Sequence, residues 1–151
     1  MEMHVNNNAH LADFISLNEA WILKYFTLEK SDKDLASNPF KVIENGGYIF
    51  SLTIDDNVAG VCALFNEGEG VYELARMAVS PKFQGKGLGN VLMKTSISKI
   101  QEVKAARLYL VSNTKLKPAI NLYKKFNFVA IQTGQPTGYR RANIVMELDG
   151  L

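Results

Sequence analysis

The spacing of apolar residues changes several times along the chain, and each change marks an element. MEMHV opens as a short strand. Leu11, Phe14, Ile15, Ile22, Tyr25 and Phe26 then recur at helical spacing, which predicts an amphipathic helix over about 9–27. SDKDLASNP reads as a turn or short helix, and Pro39 opens another short helix that runs through Glu44 and stops at Gly46-Gly47. YIFSLTI and VAGVCALF are strands joined by the turn triplet Asp55-Asp56-Asn57, a hairpin pattern, and VYELARMAV adds a third strand after the turn NEGEG. Leu88, Val91, Leu92, Ile100 and Val103 predict a helix ending near Lys104. ARLYLVS reads as a strand and LKPAINLYKKF as a helix with Pro118 near its first turn. FVAIQT and ANIVMEL are strands on either side of the loop TGQPTGY. The order β-α-α-β-β-β-α-β-α-β-β predicts an α/β fold: one mixed sheet with helices on both faces.

A length of 151 residues suits one domain, residues 1–151, with room for a buried core. Apolar residues make up 47% and charged residues 21%, the balance of an ordinary soluble protein. No run approaches the roughly 18 apolar residues of a membrane span, and MEMHVNNNAH lacks the apolar core of a signal peptide, so no membrane partner is expected. Cys62 is the single cysteine, which excludes an intrachain disulfide and a thiolate metal cluster. Its place inside VCALF marks it as core. His4 and His10 alone make no metal site, and no metal is expected. A reducing, cytoplasmic setting fits these features.

Charge sharpens the picture. Between Ser80 and Lys125 there are ten Lys and Arg residues against one acid, Glu102; the rest of the chain has seven basic and fourteen acidic residues. A basic segment suggests an anionic ligand there, and the acidic remainder suggests a cationic one. The basic segment also contains QGKGLG, residues 84–89, between a strand and a helix. Gly85, Gly87 and Gly89 let ligand atoms approach the main chain. The first N–H groups of the following helix have no intrahelical partner and favour an anion. The dinucleotide pattern G-x-G-x-x-G fails at Asn90, and the P-loop pattern fails because Lys86 precedes Gly87.

What remains, Gln84-x-x-Gly87-x-Gly89 after ELARMAVSP and before SNTKLKPAINLYKKFNF, resembles the GNAT superfamily of acyl-CoA-dependent N-acetyltransferases. The resemblance is close over about 71–129, with Asn127-Phe128 standing where the family usually has Gly-Phe. It implies a single GNAT domain with a mostly antiparallel sheet of six to seven strands and a splayed parallel pair, ARMAV and LYLVS. It implies acetyl-CoA as co-substrate. The pantetheine arm would pair with the backbone of Met77, Ala78 and Val79, and the pyrophosphate would lie on Gln84, Gly85, Lys86, Gly87, Leu88 and Gly89. Asn113 matches the family's CoA-contacting asparagine, and Ala119, one turn before Tyr123, leaves room for the co-substrate.

The same resemblance makes Tyr123 the acid that protonates the leaving thiolate and Glu73, eleven residues before Gln84, the base that takes the ammonium proton. A structural ion pair with Arg76 is the competing reading of Glu73. The acceptor pocket is expected from about 26–47 and 133–143, with Glu29, Asp32 and Asp34 able to attract an ammonium group and Phe40, Tyr48 and Tyr139 able to form an apolar wall. The expected reaction is acetyl transfer to a primary amine by direct attack in a ternary complex, with a small amine or amino acid favoured over a protein lysine. The rival is a non-catalytic acyl-CoA sensor. A nucleic-acid partner is not expected, because the basic stretch lacks a row of stacking aromatics. At this length a stand-alone enzyme is expected, with a homodimer left open.

Overall fold

The structure, a computed structural model, describes residues 1–134 and 140–151. Its strands are β1 (Glu2–Val5), β2 (Tyr48–Ile54), β3 (Asn57–Gly68), β4 (Val71–Val79), β5 (Arg107–Ser112), β6 (Phe128–Thr133) and β7 (Ile144–Leu148). Its helices are α1 (Leu11–Tyr25), α2 (Lys30–Ser37), α3 (Phe40–Glu44), α4 (Leu88–Glu102) and α5 (Lys117–Lys125). The strands form one sheet in the order β1-β2-β3-β4-β5-β7-β6, and β4–β5 is its parallel pair. The predicted element order holds except that the segment read as a turn or short helix forms a helix of its own, α2, which makes three helices before β2. The first helix begins at Leu11, because Asn8–His10 form a 3-10 turn capped by the Asn7 side chain, which accepts the Ala9 N–H at 3.0 Å. Asp55 and Asp56 take φ of +51° and +64° in the hairpin turn, conformations that short polar side chains tolerate. Asn127 stops α5 at φ +72°, in the role glycine usually fills.

Alternation along the strands divides the core between two faces. Ile49, Val61, Ala63 and Ala78 pack with Phe14 of α1, and Trp21, Leu35 and Val42 close over them. Phe50, Cys62, Leu64 and Leu74 face the other way, against Leu88, Leu92, Met93 and Ile100 of α4 and Ile120 of α5. A fully buried residue of this kind contributes about 1.5–3 kcal/mol, so neither face can be left uncovered. The sheet thus passes through the middle of the molecule, and anything that opens it joins the two sides.

The sheet does open. Strands β4 and β5 pair only at Val71–Arg107, Tyr72–Leu108 and Glu73–Tyr109. Beyond that point β5 keeps β7 as its neighbour through Ser112, while β4 keeps only β3. A bulge explains the divergence. Ala75 lies opposite Ala63 and Ala78 opposite Val61, so Arg76 and Met77 together face Cys62. The extra residue bends β4 away from β5, and Arg76 takes φ of +60°, unusual for a long side chain.

Candidate active site

The gap between the splayed strands is a pocket of about 110 Å³ that carries residues from both layers of the molecule. Glu73, Met77, Asn113, Ala119 and Tyr123 all line it, so sequence-predicted residues of β4, of the turn after β5 and of α5 converge there. Ala78 is buried on the α1 side, which leaves its backbone, not its side chain, to serve a ligand. The Ser80 N–H donates to the Ala59 carbonyl of β3 at 2.8 Å. Polar groups alternate in direction along a strand, so those of Val79 point toward the gap. There the Gln84 Nε2 makes a long 3.5 Å contact to the Val79 carbonyl.

At the open end of β4 the chain runs through a 3-10 turn, Pro81–Phe83, into the glycine segment. Gly85 and Gly87 have φ of +79° and +77°, and Gly87 is the N-cap of α4. A Cβ placed on either would meet no protein atom within 4 Å. These glycines are therefore required by backbone conformation, and the space before them is open to a ligand. Gly89 serves packing instead, since a Cβ there would come within 3.3 Å of Leu122 on α5. The Lys86 Nζ lies 5.7 Å from the Phe83 ring centroid and adds positive charge beside the helix N-terminus. Backbone N–H groups, a fifteen-residue helix and a lysine make this turn suited to a diphosphate.

Two titratable groups face the pocket from opposite sides of the sheet. Glu73 is 7% exposed. Burial, and next the Glu67 carboxylate, push its carboxyl up to about 7 from an ordinary value of 4.5, against the pull of Arg76. A carboxyl poised there takes up a proton readily near neutral pH. Tyr123 lies on α5, its ring 6.2 Å from that of Phe128. Burial, with the neighbouring Cys62 adding to it, pushes the phenol up to about 12, while a hydrogen bond with Ser112 works the other way. It stays protonated and able to donate. The Cys62 thiol is itself pushed up to about 12 by burial, opposed by its 3.3 Å contact with the Ser96 hydroxyl, and so supplies no thiolate nucleophile.

The acceptor side departs from the sequence expectation. Asp32 is 3% exposed and is no solvated acid. It accepts from Arg141 Nη1 at 2.7 Å and Nη2 at 2.8 Å, from the Glu29 N–H at 2.7 Å, and from Arg76. Burial alone would raise its pKa; the Arg141 hydrogen bonds, the Glu29 N–H and Arg76 outweigh it and hold the carboxyl at about 2. Glu29 accepts the Arg140 and Arg141 N–H groups at 2.9 and 3.2 Å, and Asp34 pairs with Lys30 at the surface. None of the three acids is an open ammonium seat. Arg76 pairs with Asp32, so the Glu73–Arg76 ion pair is replaced by a longer-range attraction. Tyr48 packs beside Phe50 and Tyr72, under Lys99, away from the pocket, and Phe40 is an exposed residue of α3. Tyr139 lies outside the described residues.

The wall consists instead of Asn18, Trp21, Ile22 and Phe26 with Leu116 and Arg141. One signal for it was present. Phe14, Asn18 and Ile22 recur every four residues, so Asn18 is a polar residue inside a buried stripe. The Asn113 side chain braces this side too, donating to the Arg141 carbonyl at 2.8 Å and accepting the Lys115 N–H at 2.9 Å.

The sequence profile of the Acetyltransferase (GNAT) family matches residues 15–128. A Bacillus subtilis (strain 168) protein assigned as a ribosomal protein bS18-alanine N-acetyltransferase is 29% identical over 111 residues, covering 72% of this chain and 63% of that relative's length. Among solved structures, a GNAT-family acetyltransferase of Staphylococcus aureus Mu50 superposes with a TM-score of 0.84 at 16% identity, over 97% of this chain and 98% of that one. The PaiA N-acetyltransferase of Thermoplasma acidophilum, solved with coenzyme A, gives 0.74 at 15% identity, over 98% and 99% of the two chains. These likenesses at low identity speak for the fold, and the profile match over most of the chain establishes the lineage: the protein belongs to the acetyltransferase (GNAT) family.

Proposed function

We propose that the protein transfers an acetyl group from acetyl-CoA to a primary amine by direct attack within a ternary complex. One observation carries this reading: a single pocket, opened by the β4 bulge, is lined by Glu73 from one side of the sheet and Tyr123 from the other. In this reading the diphosphate lies on residues 84–89 and the pantetheine arm pairs with the free edge of β4 at Met77 and Val79, as an added strand would. The thioester then reaches the gap between the two titratable groups.

The amine arrives as an ammonium ion and gives one proton to Glu73. Its nitrogen lone pair then bonds to the thioester carbonyl carbon. As the tetrahedral intermediate collapses, the C–S bond breaks and the departing sulfur takes a proton from Tyr123. The nitrogen gives its second proton to water, so the products are an amide, free coenzyme A and one released proton, with Glu73 protonated and Tyr123 ionised. Proton exchange with solvent restores both. The high pKa of Tyr123 makes its ionised form short-lived, and the near-neutral pKa of Glu73 suits it to both steps of its cycle.

A small amine or amino acid suits a pocket of about 110 Å³ better than a lysine on a folded protein. Incubation with acetyl-CoA and a panel of amines, read as free thiol release, tests the reading. Amine-dependent release is expected. Tight coenzyme A binding without release on any amine would mark the protein as a non-catalytic acyl-CoA sensor.

A further inference from the structure

We propose that the acceptor is a primary monoamine with an apolar body and no second positive charge; this narrows, and rests on, the acetyl-transfer reading above. Among the described residues lining the pocket, Glu73 is the one carboxylate, while Arg76 and Arg141 both line it. The other acids near the wall, Glu29 and Asp32, are turned toward guanidinium groups: Asp32 holds both arginines, and Glu29 accepts from Arg141 Nη1 at 3.3 Å. The Lys115 Nζ lies 5.6 Å from the Phe26 ring centroid, at the same wall. An acceptor whose reacting nitrogen sits at Glu73 therefore extends along a surface that offers it no further negative charge.

That surface does offer apolar contact. Trp21 is half-buried, with its ring 5.5 Å from Tyr25 and 6.2 Å from Phe26, and Ile22 and Leu116 complete the lining beside it. A flat or aliphatic body loses water against these side chains at a gain proportional to its area. A distal ammonium would give up hydration in the same place and find no unpaired carboxylate among the described residues there to replace it. Polyamines and aminoglycosides carry such groups; alkylamines and arylalkylamines do not.

The test compares 1-aminohexane with 1,6-diaminohexane, molecules of nearly equal length that differ in the distal charge. Binding of each to the protein–coenzyme A complex is measured by calorimetry, and kcat/KM of each is measured with acetyl-CoA. The monoamine is expected to bind at least about tenfold more tightly and to show a similar advantage in kcat/KM, the scale of one unfavourable charge contact at a partly wet site. 2-Phenylethylamine should outdo 1-aminohexane, and Trp21→Ala should remove that margin while leaving the acetyl-CoA Kd unchanged.

A diamine that binds as tightly as the monoamine, or is acetylated faster, overturns the inference while acetyl transfer stands. Preferential monoamine binding without thiol release upholds the charge preference of the pocket and overturns acetyl transfer. Binding of neither amine at millimolar concentration overturns the inference as well.

Discussion

The two ends of the pocket are built in different ways. At the coenzyme A end the proposed contacts come from main chain: the free edge of β4, the glycine turn and the first N–H groups of α4. At the proposed acceptor end side chains form the wall, and they come from far apart in the sequence. Asp32 on α2, Arg76 in the β4 bulge and Arg141 before β7 meet in one buried ion cluster. Such a cluster is costly to desolvate and is sustained only while every partner is present. The backbone end needs a turn with the right φ angles; the side-chain end needs the whole fold to have formed first. Mutations should therefore affect ligand affinity at one end and global stability at the other.

The largest effect is expected at the side-chain end. Asp32→Asn leaves Arg76 and Arg141 without their shared carboxylate and should cost about 3–5 kcal/mol in urea-induced unfolding. Because the Asp32 carboxyl is held at about 2, below its ordinary 3.8, its contribution is present at neutral pH and is lost as pH falls below 4 and through 2. A loss under about 1 kcal/mol would show that the cluster does not hold the wall together.

Glu73→Gln should act in the opposite direction on stability. Between pH 4.5 and 7 the folded protein keeps a proton on Glu73 that the unfolded chain releases, so stability falls as pH rises through that window. Above it, the ionised group costs roughly 3 kcal/mol. The variant should then be more stable than the parent at pH 8 by up to that amount, nearly equal to it at pH 4, and impaired in acetyl transfer. Urea titrations at the two pH values check this, and a difference independent of pH would remove Glu73 as a group with a raised pKa.

Tyr123→Phe should lower kcat by roughly a hundredfold, about 2.7 kcal/mol in the barrier, with acetyl-CoA affinity retained. An unchanged kcat would take the acid role from Tyr123. The smallest effect belongs to the backbone end. Gly87→Val forces a β-branched residue into a left-handed conformation and should raise the acetyl-CoA Kd about tenfold, or ~1.4 kcal/mol, with little change in the amine KM. An unaltered acetyl-CoA Kd would separate this turn from the diphosphate.

The same division explains what could be read before folding. Element order followed from apolar spacing, and Asp55-Asp56 and Asn127 were recognisable turn and stop residues because their reasons are local. The glycine turn was legible for the same reason: a strand, three closely spaced glycines and a helix are contiguous in sequence, and N–H groups at a helix start have a fixed direction. Glu73 and Tyr123 became candidates only through a family resemblance, since nothing local distinguishes a catalytic carboxyl from a structural one. Asp32 was expected to attract an ammonium group, but it is spent on two arginines. Its partners lie 44 and 109 residues away, and no local pattern reports such a distance. Trp21 was not singled out and Ile22 read as one member of an apolar stripe, although both line the pocket.

Sequence alone thus determined most of the elements, their succession and the conformation of the glycine turn, because those depend on propensity, periodicity and the φ range each residue allows. Only the tertiary structure decided where β4 leaves β5, which acids are spent on arginines, and how far Glu73 and Tyr123 are removed from their ordinary titration. Each of these depends on solvent exclusion and on charges brought together from distant parts of the chain, quantities that do not exist until the sheet and its two helical layers have packed.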